Sequence, residues 1–144
     1  MTTVNFSCAV APNNADVPLG CEIWIDDTCL INTDHVNETL NVEHEFSEAD
    51  GEHSLRITLK NKLSEHTQVD ESGNIVSDAL LTISNISFEG IDCSQIMKDL
   101  AVYRHNFNDT ADQIDDQFFD CMGCNGTVEL KFTMPLYLWL LENM

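Results

Sequence analysis

Apolar and polar side chains alternate with a period of two along much of this sequence. The stretch "DGEHSLRITLKNK" begins with an Asp-Gly turn and then places Leu55, Ile57 and Leu59 on one face. The same alternation recurs in four further segments, at positions 4–10, 21–26, 40–46 and 128–132. Because successive side chains of a strand point to opposite faces, this pattern predicts half-buried antiparallel strands.

Two local signals refine the strand prediction. In "IDDTCLI" the adjacent residues Asp26 and Asp27 predict the turn of a hairpin. Within "ALLTISNISFEGI" the apolar parity changes between Ile83 and Ile86, which predicts a bulge at Ser84–Asn85.

Helical patterns are short and few. "CSQIMKDLAVYR" predicts two or three turns, with Ser94 as N-cap and Tyr103 on the same face as Ile96. "MPLYLWLLENM" predicts a closing helix with Pro135 in its first turn. We therefore expect one domain over residues 1–144, an all-β antiparallel β-sandwich of jelly-roll type with one or two short helices, one of them near the C-terminus.

The charge balance narrows the classes of partner. The chain has 25 acidic and 6 basic residues, a net charge of −19. Nucleic acids and anionic membrane surfaces attract clustered Lys and Arg, so we expect neither as a partner. The acidity has two interpretations: it keeps the protein in solution, or some carboxylates converge on a hard cation such as calcium.

Half of the basic residues lie between Asp50 and Lys62. If Leu55 and Ile57 face the core, Arg56 and Lys60 stand on the solvent face of their sheet. The expected partners are acids on neighbouring strands, drawn from Glu22, Asp26, Glu43 and Glu45. The alternative is that Arg56 binds an anionic sugar or another partner directly.

Two groups of oxygen-bearing side chains are candidate calcium ligands. "DESGN" places Asp70 and Asn74 around Gly73, with Asp78 four residues further on. The second group consists of Asn106, Asn108, Asp109 and Asp112. Short carboxylate and amide side chains around a tight turn suit this cation, although the spacing is not that of an EF-hand. Ordinary hairpin or loop turns are the alternative.

Trp24 is the candidate ligand-binding aromatic. The alternation places it on the face opposite Ile23 and Ile25, where an exposed indole could stack on a sugar ring. Trp139 lies in a wholly apolar run and is expected in the core.

The remaining motifs argue against catalysis, secretion and membrane insertion. No nucleophile, phosphate-loop or dinucleotide motif occurs, so we expect no enzyme. The first residues show no secretory signal, and "PLYLWLL" is too short to span a membrane. The six cysteines, including "CMGC", are therefore expected to be reduced and mostly buried, with zinc or redox chemistry as the alternatives.

Residues 20–91 resemble carbohydrate-binding modules of the β-jelly-roll type. The resemblance lies in "CEIWIDDTCLI", in "DGEHSLRITLKNK" and in "HTQVDESGNIVSDALLTISNISFEGI". The last segment is similar to the corresponding stretch of small calcium-dependent xylan-binding modules. This resemblance implies a non-catalytic polysaccharide-binding protein in which bound calcium orders a binding edge.

The closing segment "FFDCMGCNGTVELKFTMPLYLWLLENM" and the acidic composition resemble small structural proteins of tailed phages that infect marine cyanobacteria. This second resemblance implies a location in the virion, with other virion proteins as partners. It leaves open a purely structural role, as a decoration, tail or baseplate component. Exposure of Leu136, Tyr137, Trp139 and Leu140 would make the tail a docking patch, and burial would make it part of the core.

Overall fold

The computed structural model describes residues 2–106 and 112–144. These residues form β-strands, two α-helices and a 3-10 turn at Ser64–His66. The strands are β1 (Thr2–Pro12), β2 (Gly20–Ile25), β3 (Thr28–Thr33), β4 (Leu40–Glu48), β5 (Gly51–Lys60), β6 (Thr67–Val69), β7 (Ile75–Asp78), β8 (Leu81–Phe88), β9 (Ile91–Asp92), β10 (Val102–His105), β11 (Ile114–Gln117), β12 (Cys121–Met122) and β13 (Gly126–Met134). The helices are α1 (Ser94–Leu100) and α2 (Leu136–Asn143).

The strands form two antiparallel sheets that pack face to face, and β6 and β7 form a separate hairpin. One sheet has the order β12-β8-β1-β4, with β9 beside β8. The other has six strands in the order β11-β10-β13-β5-β2-β3. The predicted all-β antiparallel sandwich with a helix near the C-terminus is confirmed.

Both local strand features predicted from the sequence are present. Asp26, at φ 51°, begins the turn between β2 and β3, a conformation that Asp and Asn tolerate better than most residues. In β8, Asn85 has φ 55°, and the pairing of β8 with β1 shifts register between Ser7 and Ala9. The bulge lets β8 change the parity of its buried side chains while staying in the sheet.

Phe132 is the central contact between the two sheets. Its ring centroid lies 5.2 Å from that of Phe88 in β8 and 6.3 Å from that of Phe46 in β4. On its third side it contacts Trp139 of α2, at 6.1 Å. All four side chains are buried, and burial of each contributes roughly 1.5–3 kcal/mol. One aromatic side chain therefore joins both sheets and the closing helix.

Lys62 provides a polar junction at the edge of this core. Its ammonium is fully buried and donates hydrogen bonds to Asp78 Oδ1 at 2.6 Å, Ala79 O at 2.6 Å and Gly123 O at 2.7 Å. Thr67 Oγ1 donates to the same carboxylate oxygen at 2.7 Å. A buried charge is tolerated only when it is paired and hydrogen-bonded, and three oxygens meet that condition here. Lys62 thereby connects the chain after β5, the base of the β6–β7 hairpin and the loop before β13.

Helix α1 is shorter than the sequence pattern predicts. It ends at Leu100, because Ala101 adopts an extended conformation, and Tyr103 lies in β10 rather than on the helix face. Ser94 is not the N-cap: its N–H donates to Asp92 Oδ1 at 2.8 Å. The Val-Tyr pair that follows favours a strand, and β10 pairs there with both β11 and β13.

Helix α2 closes one end of the sandwich. Leu136, Trp139 and Leu140 are buried, so these three complete the core and do not form a docking patch. Of the four residues considered for docking, Tyr137 stays exposed, and Leu138 beside it is 59% exposed.

We expect replacement of Lys62 with Met to lower the free energy of unfolding by about 3 kcal/mol, because Asp78 loses its charged partner and the carbonyls of Ala79 and Gly123 lose the ammonium donor. Urea unfolding measures the loss. Lys131→Met, at an exposed position, is the matched control and should change stability by less than about 0.5 kcal/mol. Equal stability of the two variants would contradict the structural role of Lys62.

A second stability prediction separates the two faces of α2. Trp139→Ala should destabilise the protein by about 3–5 kcal/mol, because it leaves a cavity beside Phe132. Leu141→Ala removes a side chain that is 76% exposed and should be nearly neutral. Thermal unfolding of the two variants, followed by circular dichroism, provides the comparison. Similar losses at both positions would show that α2 does not pack as described.

Candidate functional site

Trp24 and Arg56 form a cross-strand pair on the outer face of the six-stranded sheet, the face turned away from the other sheet. They lie directly opposite each other in the pairing of β2 with β5. The guanidinium carbon of Arg56 is 5.9 Å from the centroid of the Trp24 ring, within the range of a cation–π contact. Trp24 Nε1 donates to Glu22 Oε1 at 3.1 Å, and the indole remains partly exposed. The structure thus brings together the two side chains that the sequence singled out for ligand binding.

The turn at Asp26 fixes the position of Arg56. Arg56 Nη2 donates to the carbonyl oxygen of Asp26 at 2.7 Å. The Asp26 carboxylate is held in turn, because its Oδ1 accepts the N–H of Ser54 at 2.9 Å and its Oδ2 lies 2.7 Å from His53 Nδ1. The site is therefore built on a hydrogen-bonded turn between two strands of one sheet.

His53 links this turn to the loop between β4 and β5. Its Nε2 lies 2.7 Å from the carbonyl oxygen of Ala49, while its Nδ1 faces the Asp26 carboxylate. The imidazole therefore bridges the Asp26 carboxylate and the Ala49 carbonyl oxygen through its two ring nitrogens. His53 also packs against Phe132, with ring centroids 5.8 Å apart, and this contact links the turn to the core.

Glu129 lies beside Arg56 on the next strand, β13. Its Oε1 accepts from Arg104 Nη1 at 2.9 Å, and its Oε2 accepts from Ser54 Oγ at 2.8 Å. The hydrogen bond from Arg104, supported by that from Ser54, lowers the pKa of the Glu129 carboxyl below its ordinary value of 4.5. Glu129 is therefore ionised at neutral pH, with both oxygens engaged.

A shallow cleft extends the site along the same face. It has a volume of about 320 Å³ and is lined by Leu100, Val102, Arg104, Glu129 and Lys131. Glu129 lies opposite Arg56 in the pairing of β13 with β5, and Val102 lies opposite Glu129 in the pairing of β10 with β13, so the cleft begins on the strand next to Arg56 and extends to β10.

Four of the six basic residues lie on this outer face: Arg56, Lys60, Arg104 and Lys131. Lys60 pairs with Glu22 of the neighbouring strand at 3.5 Å, as the sequence predicts, and with Asp34, which follows β3 and was not predicted, at 3.4 Å. Arg56 instead bonds to a carbonyl oxygen and an indole. The cations are concentrated on the one face where the chain also presents its aromatic platform.

The first group of predicted calcium ligands is divided between the two ends of the β6–β7 hairpin. Asp70 and Asn74 share the tip, where Asp70 Oδ1 accepts the N–H groups of Ser72 and Asn74, each at 2.9 Å. The N–H of Asn74, with that of Ser72, lowers the pKa of the Asp70 carboxyl. Asp78 lies at the base of the hairpin, opposite Thr67. Four residues of extended chain, about 13 Å, separate Asn74 from Asp78, so one cation cannot bind all three side chains.

The second group of predicted calcium ligands falls only partly within the described residues. Asn108 and Asp109 fall outside the described residues, and Asp112 is exposed. Within residues 2–106 and 112–144, three or more His, Cys, Asp or Glu side chains do not converge as a metal site. Calcium binding stays a prediction from the sequence.

The six cysteines are free thiols in the structure. Cys8 and Cys21 lie in the core, and burial raises the pKa of each to about 12. In "CMGC", Cys121 is exposed and Cys124 is half-buried beside the Tyr103 hydroxyl, which accepts the N–H of Cys124 at 3.0 Å.

Sequence reasoning missed the part of the site that lies on β13 and β10. The alternation in "GTVELKF" does place Glu129 and Lys131 on the polar face. It cannot show that β13 pairs with β5, which brings both residues next to Arg56 and Ser54.

Comparisons with known proteins add one structural match. No protein-family model matches the chain, and no curated protein matches it in sequence. A solved structure entitled "vCBM60 in complex with galactobiose" aligns with a TM-score of 0.47 and 11% sequence identity. The alignment covers 88% of this chain and 96% of the other.

The helices of the described part of the chain are all too short or too polar to cross a membrane.

The lowered pKa of Glu129 makes its contribution to stability depend on pH. A carboxyl whose pKa is lower in the folded state stabilises the fold above its unfolded pKa, and this stabilisation disappears as the pH falls through the folded pKa. The stability difference between wild type and Glu129→Gln should therefore be constant above about pH 5.5 and shrink steadily below the ordinary value of 4.5. Urea unfolding at several pH values measures this difference.

The same comparison in an Arg104→Gln background is the control. Arg104 is the main cause of the lowered pKa, so its removal should largely abolish the pH dependence of the Glu129→Gln effect. An unchanged pH dependence in that background would contradict the assignment.

Proposed function

We propose that this protein is a non-catalytic saccharide-binding protein and that it binds its ligand on the outer face of the six-stranded sheet. The observation that carries the proposal is the cross-strand pair of Trp24 and Arg56, held in place on a mostly polar sheet face. An aromatic surface beside fixed hydrogen-bonding groups is the combination that a sugar ring requires, because its C–H faces are apolar and its hydroxyls are polar.

The groups around Trp24 suit sugar hydroxyls. Glu22 accepts from the indole N–H with one oxygen and lies 3.5 Å from the Lys60 ammonium with the other, and each oxygen has a further lone pair that can accept from a sugar hydroxyl. Arg56 uses one of its five N–H donors on Asp26. Both side chains are oriented before any ligand arrives, which reduces the entropy lost on binding. The site can therefore accept and donate hydrogen bonds on either side of a stacked ring.

The overall charge supports a saccharide over other large ligands. At −19, the protein repels the phosphates of nucleic acids and the headgroups of anionic lipids. A sugar chain with few charges experiences little of this repulsion.

Two further parts of the proposal, calcium binding and a location in a virion, derive from the sequence resemblances. Calcium would bind either the Asp70–Asn74 turn or the segment around Asn108. In the first case Asp78 would not be a ligand, because it lies at the other end of the hairpin. The setting is the surface of a tailed-phage particle, where a sugar-binding protein could contact host glycans.

The first test is binding to immobilised oligosaccharides by wild type and Trp24→Ala. We expect Trp24→Ala to bind at least about tenfold more weakly, because the stacking surface is lost. Tyr137→Ala, which removes an exposed aromatic ring from α2, should bind like wild type. An added chelator shows whether the retention needs calcium.

Circular dichroism must show that both variants are folded. Wild-type protein that binds none of the oligosaccharides would contradict the proposed function, and so would undiminished binding by Trp24→Ala.

A purely structural virion component is the second candidate. It is favoured by the outward face of α2, where Tyr137, Leu138 and Leu141 are 55%, 59% and 76% exposed. Apolar side chains gathered on one helix face are typical of contact surfaces. The same binding assay separates the candidates, because a structural component would bind no oligosaccharide.

A further inference from the structure

Arg56 and Lys131 differ from the other basic residues of the chain. Among the described residues, neither has a carboxylate oxygen within 4.0 Å, whereas the other four basic residues do: Lys60, Lys62, Lys98 and Arg104. In a chain with 25 acidic residues, two cations without an acidic partner on one sheet face are unexpected.

These two cations are near neighbours. In the pairing of β5 with β13, Arg56 lies opposite Glu129, and Lys131 lies opposite Ser54. Arg56 and Lys131 are thus diagonal neighbours on the outer face, with about 7–8 Å between their backbone positions. Their long side chains can reach one group placed between them.

Glu129 is the nearest acid, and the charge of Lys131 contributes to the lowered pKa of its carboxyl, but neither cation forms a close ion pair with it. Its two oxygens already accept hydrogen bonds from Arg104 at 2.9 Å and from Ser54 at 2.8 Å. Arg56 is turned toward Trp24 and Asp26 instead, and Lys131 is exposed at the rim of the cleft of about 320 Å³. An anionic group of a ligand would therefore find unused donors here.

We infer that the ligand carries a carboxylate, as in a uronic acid residue, and that Arg56 and Lys131 bind it while the adjoining sugar ring stacks on Trp24. This inference rests on the proposed function. Lys131 lies two strands across and two residues along from Trp24, about 12 Å between backbone positions, which two linked sugar rings and the long Lys131 side chain can span. The guanidinium of Arg56 matches a planar carboxylate, because it can donate two parallel hydrogen bonds.

The net charge limits how many carboxylates the ligand can carry. At physiological ionic strength, charges more than about 8 Å apart are largely screened, so one carboxylate experiences chiefly Arg56, Lys131 and Glu129, and the charge of Glu129 is balanced by Arg104 at 2.9 Å. A polyuronate extends further over a protein of charge −19 and is repelled along its length. The expected ligand is a mostly neutral chain with isolated uronic acid residues.

The test uses matched oligosaccharides that differ in one group. A uronosyl-substituted xylo-oligosaccharide is compared with its carboxyl-reduced form, in which the carboxylate becomes a hydroxymethyl group, by isothermal titration calorimetry. We expect wild type to bind the acid at least about tenfold more tightly, since a hydrogen bond to a charged group is stronger than one to a neutral group. This preference should decline between 20 and about 500 mM salt.

Lys131→Gln should reduce the preference for the acid severalfold while leaving the affinity for the reduced form unchanged. Arg56→Gln should reduce the preference further. Lys98→Gln removes the same charge from α1, where Lys98 pairs with Asp120 at 3.2 Å, and should keep the wild-type preference.

The possible results distinguish failure of the carboxylate inference from failure of the proposed saccharide binding. Equal affinity for the two forms, still dependent on Trp24, would overturn the carboxylate inference and leave saccharide binding intact. Tighter binding of a sulfated counterpart than of the acid would also overturn it. If no member of a wider oligosaccharide array binds, the proposed function itself fails.

Discussion

The packing of the two sheets around Phe132 is the contact on which the other features of this molecule depend. Once Phe132 and its neighbours in β13 and β5 point inward, the residues between them must point outward, because strand side chains alternate. Trp24, Arg56 and Glu129 therefore reach the outer face as a direct consequence of core formation. A shift of one residue in the pairing of β5 would bury Arg56 and expose Leu55 and Ile57. The cost of exposing these apolar side chains therefore also fixes which residues face the site.

Lys62 complements this apolar contact at the edge of the core. The carboxylate of Asp78 and the carbonyls of Ala79 and Gly123 form a set of oxygens that could have suited a metal ion, and the ammonium of the chain itself occupies it. The base of the β6–β7 hairpin is thus held by the ammonium of a lysine side chain, which takes the place that a bound metal ion could have taken. Its tip, with Asp70 and Asn74, is joined to the rest of the chain through the two short strands.

The sequence predicts what depends on nearby residues. The alternation gives the strand faces, the Asp26 turn and the bulge at Asn85, and it places Trp24 and Arg56 on the polar side. Strand order depends on contacts between distant residues: β5 pairs with β13, which follows it by more than sixty residues. The neighbours of Arg56 on β13 were therefore missed, as was the separation of Asp78 from Asp70. Tyr103 was placed on a helix because apolar spacing in short segments fits a helix and a strand equally well.

The uneven placement of the basic residues gives the molecule an electric dipole. Four of its six cations lie on the outer face of the six-stranded sheet, while most of the acidic side chains that the structure describes lie elsewhere. In the field of a negatively charged cell surface, such a protein is repelled overall but is also rotated, so that its least negative side points forward. Close approaches to any such surface then occur with Trp24 and Arg56 in front.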